Sequence, residues 1–153
     1  MIILLLDRGA VLHPKATEGD SPLYWVAFAG DFKATKLLLD RGADPHATTG
    51  YSGSPLFAAA RSGDYETTKM LLERGSEVNR NDASYYTPLH GAVLAARPKV
   101  VKLLLEHGAV VDLKKNPVMG TVLMDAKQTG NREILNMLDD ALAWQQKEAN
   151  RKQ

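Results

Sequence analysis

Four histidines, two close pairs of acids and one serine between glycines are the residues here whose types could do chemistry. His13 and His46 stand 33 positions apart, and the same step continues to Asn79 and Asp112, so one recurring position keeps returning a potential metal or proton ligand. His90 follows Thr-Pro-Leu, and His107 precedes Gly108. Gly50-Tyr51-Ser52-Gly53-Ser54 departs from G-x-S-x-G in its last position, and no strand-forming run precedes it as a nucleophile elbow requires. There is no P-loop, no dinucleotide glycine motif and no H-E-x-x-H. Glu18/Asp20 and Asp139/Asp140 read as solvated loop and helix-end charges. The sequence contains no cysteine, which removes thiolate catalysis, disulfides and Cys-ligated zinc. No nucleophile, base and orienting group occur in a pattern that would bring them together, so the chain does not read as an enzyme.

The 33-residue step belongs to the whole chain. Units start at Ser21, Ser54, Thr87 and Thr121, with spacings of 33, 33 and 34. The clearest unit reads TPLHGAVLAARPKVVKLLLEHGA from Thr87. It opens on Thr-Pro, suited to a helix N-cap and first turn. It closes on Gly108, suited to the left-handed position past a helix end. Leu23, Leu56, Leu89 and Leu123 fall two places after each start, and Gly42, Gly75 and Gly108 twenty-one after. Leu38, Leu71 and Leu104 share a register that Leu138 continues. Two short helices per unit are too small to bury their own apolar faces, so the units must stack.

A period near 33 with a T-P-L-H-x-A signature is that of ankyrin repeats. Thr87-Pro88-Leu89-His90-Gly91-Ala92 matches it closely, and Ser21-Pro22-Leu23 and Ser54-Pro55-Leu56 are near variants. The chain thus resembles the ankyrin-repeat family over almost its whole length. The resemblance implies an all-α ankyrin-repeat solenoid of stacked helix-turn-helix units joined by hairpin-like loops. A single domain spanning 1–153 is expected. Its parts would be a truncated N-terminal repeat at 1–20, full repeats at 21–53, 54–86 and 87–120, and a C-terminal capping repeat at 121–153. The bare apolar start, with Ile2, Ile3 and residues 4–6 all leucine, suggests a cut from a longer array. Asp31 and Asp64 should cap second helices. In the third unit Ala96 and Arg97 replace the inter-helix glycine and the cap, so that loop should be altered, with Pro98 in the first turn. The last helix should run past Leu138, with Leu135, Leu138 and Leu142 on one face, and fray over 147–153.

The same resemblance disposes of the histidines. Equivalent atoms of stacked units lie about 8–10 Å apart, too far for two ligands bound to one zinc at ~2 Å. In ankyrins the column of His13 and His46 is commonly Asn bonding hairpin backbone, and the T-P-L-H histidine bonds locally. No metal and no cofactor are expected. Family members usually bind partners along the concave side, which maps here to Phe28, Tyr51, Arg61, Tyr86 and Leu94, with Glu18 and Asp20 at a hairpin tip. Apolar and aromatic side chains at positions expected to be polar form a patch suited to a protein partner. Trp25 replaces a usually buried leucine and is expected in the core. Protein–protein recognition, as a scaffold, adaptor or targeting module, is therefore the expected role. The alternative is the regulatory ankyrin portion of a larger enzyme or receptor.

Composition agrees with a binding module. Nineteen basic against eighteen acidic residues leave a net charge of +1, with no dense basic block, so neither nucleic acid nor an anionic membrane is indicated. MIILLL lacks the basic flank and cleavage pattern of a signal peptide, and no run approaches the ~20 apolar residues of a membrane span. A monomer in the cytoplasm, with the nucleus also open to it, is the expectation.

Overall fold

The computed structural model describes residues 21–47, 53–81, 86–111 and 121–152. Eight helices run through these residues: α1 (Pro22–Phe28), α2 (Phe32–Asp40), α3 (Pro55–Ser62), α4 (Tyr65–Glu73), α5 (Pro88–Leu94), α6 (Pro98–Glu106), α7 (Val122–Thr129) and α8 (Arg132–Arg151). The expected N-terminal half-repeat lies outside the described residues, as do Glu18, Asp20 and Tyr51.

Each unit begins at a hydroxyl. The side chains of Ser21, Ser54, Thr87 and Thr121 accept from the backbone N–H three residues on, at 3.1, 3.1, 3.4 and 3.3 Å. Each bond satisfies an otherwise orphaned helix donor. Asp31, Asp64 and Asn131 do the same for α2, α4 and α8, at 2.9, 2.8 and 3.1 Å. The ends are set as firmly. After α4, Gly75 takes φ +87° while Ser76 N–H reaches Leu71 O at 3.0 Å and Gly75 N–H reaches Leu72 O at 3.0 Å. That pair of bonds needs a left-handed residue, which glycine supplies without strain.

The helices form two rows. First helices α1, α3, α5 and α7 pack side by side, as do second helices α2, α4, α6 and α8, and the principal contacts join neighbouring units only. Leu23, Leu56 and Leu89 line the first row, and Leu38, Leu71, Leu104 and Leu138 the second, each at most 1% exposed. Ala27, Ala59, Ala92 and Ala126 are fully buried between them, their small side chains allowing the helices to approach. Leu72 packs against both halves of the core, so the apolar interior is continuous along the stack.

Two expectations need correcting, and that for the α5–α6 loop holds for its cap but not for its backbone hand. Trp25 is 55% exposed. Its counterparts Ala58 and Gly91 are buried because the preceding first helix lies over them; a Cβ on Gly91 would sit 3.1 Å from the Phe57 ring. No described helix covers that side of α1. The α5–α6 loop keeps the backbone hand of its relatives, because Ala96 itself adopts φ +51°; what it loses is the cap, since Arg97 makes no capping bond. Finally, α8 stays helical through Arg151. It is anchored by Gln145, which accepts from Val111 N–H at 3.2 Å and donates to Ala109 O at 2.9 Å.

Candidate binding groove

The C-terminal ends of α1, α3 and α5, with the turns that follow them, enclose an open groove of about 730 Å³. Phe28 and Leu94 stand on its two sides, 40% and 43% exposed, with Arg61 of α3 between. Their exposure follows from register. Leu23 and Ala27 turn inward on α1, and the residue one place beyond Ala27 points away from the core. The same geometry exposes Leu94 beside buried Val93.

The Phe28 ring is held in place. It stacks on Tyr24 with ring centroids 6.3 Å apart, meets Trp25 edge-on at 6.2 Å, and carries the Arg61 guanidinium 5.9 Å from its centroid. A guanidinium at that range is attracted by the ring face and keeps its N–H edges free for a further partner. Arg97 closes the groove, its side chain lying across Gly63, where any Cβ would collide with it. Asp64 is also in the wall, but one carboxylate oxygen is occupied capping α4.

The structure therefore brings together three of the sequence-derived site residues: Phe28, Arg61 and Leu94. Tyr86 is placed elsewhere. It is half-buried at the start of α5, packed 6.5 Å from the Phe57 ring and 5.5 Å from the His90 ring. Arg97 was missed by sequence reasoning. Its signal was the cap column, where a basic residue replaces Asp or Asn, but the direction of its side chain depends on Gly63 one unit away.

His90, His107 and Asp125 all lie outside the groove lining. His90 is buried in a capping box with Thr87, its Nδ1 accepting from Thr87 N–H at 3.2 Å. Burial lowers its pKa from 6.5 to about 4, so it is neutral at pH 7 and acts as a structural acceptor. His107 Nδ1–H donates to Leu103 O at 2.9 Å in the last turn of α6. Asn79 brackets the following turn, donating to Gly108 O at 3.0 Å and accepting from Val110 N–H at 2.9 Å, the hairpin role the resemblance implied for its column. Asp125 is buried on α7, with Oδ2 lacking a hydrogen-bond partner among the described residues, and burial raises its pKa.

Comparison with known families decides the identity. The family model described as ankyrin repeats (3 copies) matches residues 1–82 and 56–147. The chain belongs to the ankyrin-repeat family. Ankyrin repeats are generally protein–protein interaction modules, and the family is typically non-catalytic. A search of curated proteins gives no match.

Proposed function

We propose that this ankyrin-repeat protein recognises a partner protein through the groove at the ends of α1, α3 and α5. The observation that carries this reading is the placement of Phe28, Arg61 and Leu94, contributed by three successive units, around one open surface. Aromatic and arginine side chains combine large contact area with polar edges and are enriched among the residues that dominate binding energy. Because the surface is built on helices locked by caps and core leucines, little conformational entropy remains to be lost on association. The groove is wide and open rather than an enclosed cavity, which suits a polypeptide better than a small molecule.

Site-specific photo-crosslinking tests the reading. A crosslinkable side chain at Leu94 should capture a partner in cells expressing the protein, and one at exposed Lys69 on α4 should not. Equal capture from both positions, or capture from Lys69 alone, would remove the groove from the function.

A further inference from the structure

The two arginines of the groove differ from others in the chain. Arg74 pairs with Asp40 at 2.7 Å, Arg80 with Glu77 at 3.4 Å and Arg151 with Glu148 at 3.0 Å. Among the described residues the guanidinium groups of Arg61 and Arg97, like that of Arg132 on α8, make neither an ion pair nor a hydrogen bond, and these two line one groove. Arg97 is also costly where it stands. Its position caps the second helix in the other three units, through Asp31, Asp64 and Asn131, and here the cap is given up. The residue before it, Ala96, is held at φ +51°, a strained conformation for a side chain with a Cβ. A lost cap and local strain, together setting a free guanidinium beside exposed apolar side chains, are the pattern of a position kept for binding.

We propose that the groove seats an acidic–apolar segment of the partner protein, with Arg61 and Arg97 taking one carboxylate and Phe28 and Leu94 the neighbouring apolar side chain. The inference rests on the reading of the groove as a protein-binding surface and adds the chemistry of what enters it. Two guanidinium groups against the single carboxylate of Asp64 leave the lining with one uncompensated positive charge. A carboxylate side chain balances that charge, whereas a doubly charged phosphate would leave the groove with a net negative charge. The planar N–H edges of arginine match a carboxylate in two-point geometry. Nucleic acid fits less well, because two arginines flanked by Phe28 and Leu94 do not make the basic track a phosphate backbone requires.

The test selects a displayed library of random short peptides on the full chain and measures the enriched peptides against single variants. Enriched peptides should carry Asp or Glu beside a bulky apolar residue, and their affinity should fall as NaCl is raised. Arg61→Gln and Arg97→Asp should each weaken them by about tenfold or more. Arg97→Asp also separates binding from folding. It restores an aspartate cap of the kind seen at Asp31 and Asp64, so its melting temperature should rise by ~2–4 °C while binding falls. Peptides that lose affinity in Phe28→Ser and Leu94→Ser but bind Arg97→Asp and Arg61→Gln normally would overturn the acidic seat and leave the groove as a protein-binding surface. Peptides indifferent to all four substitutions, or no enrichment at all, would overturn both readings. Tighter binding of a single-stranded oligonucleotide than of any peptide would replace the protein ligand with nucleic acid.

Discussion

At the scale of single residues, two buried titratable groups should pull stability in opposite directions with pH. His90 has its folded pKa lowered, so the folded state prefers the neutral ring. Its contribution is fully present above the unfolded value of 6.5 and is lost as pH falls from there toward about 4. The size of the shift corresponds to about 3 kcal/mol at most, at 1.36 kcal/mol per unit. Urea unfolding at a series of pH values should show wild type losing stability over that window faster than His90→Gln. Parallel curves would remove His90 as the cause. Asp125 has its folded pKa raised, so its carboxylate carries a penalty that appears as pH rises through that value and is absent below the unfolded pKa of 3.8. Asp125→Asn should therefore stabilise the protein at pH 7, because it removes the charge that burial disfavours. That gain should vanish in acid. A gain that persists below the unfolded pKa would have another origin.

At the scale of elements, the helices are written almost openly in the sequence. Hydroxyl or Asx residues at Ser21, Ser54, Thr87, Thr121, Asp31 and Asp64 start them, and glycine at Gly42, Gly75 and Gly108 stops them. These signals act within three or four residues, so they survive without knowledge of neighbours. What depended on another unit was not legible: the exposure of Trp25, the packing of Tyr86 on Phe57, the reach of Arg97 across Gly63. The α5–α6 turn shows the boundary well, since the sequence flags Ala96 as irregular but cannot say whether backbone or energy gives way. Energy does, through φ +51°. Ala96→Gly should therefore stabilise by about 0.5–1 kcal/mol, the left-handed cost less the added freedom of glycine in the unfolded chain. No change in the unfolding midpoint would mean the turn relaxes in solution. The extension of α8 has its own role, since Gln145 answers both Ala109 O and Val111 N–H. Gln145→Ala should cost about 1–2 kcal/mol in urea unfolding, because two part-buried backbone groups lose their partners. A loss under a few tenths would show that water replaces the amide equally well.

At the scale of the molecule, the principal contacts join neighbouring units only, so stability is a sum over units and the interfaces between them. A substitution should then be felt according to where in the array it lies. Leu71 of α4 is fully buried with units on both sides, and truncating a buried leucine costs about 2–5 kcal/mol. Leu71→Ala weakens the middle of the stack, and hydrogen exchange should speed up in α1–α4 and α5–α6 together. Leu138 of α8 is as deeply buried, but its unit is the last described and meets one neighbouring unit among the described residues. Leu138→Ala should release α7 and α8 while amides of α1–α4 keep their protection, because opening the last unit breaks one interface and leaves the others whole. The distinction bears on function, since Phe28, Arg61, Leu94 and Arg97 all belong to the first three described units. A Leu138→Ala protein should retain binding at the groove under conditions where Leu71→Ala has lost it. If both substitutions abolish exchange protection throughout, the array folds as one indivisible unit and the groove depends on the far end of the stack.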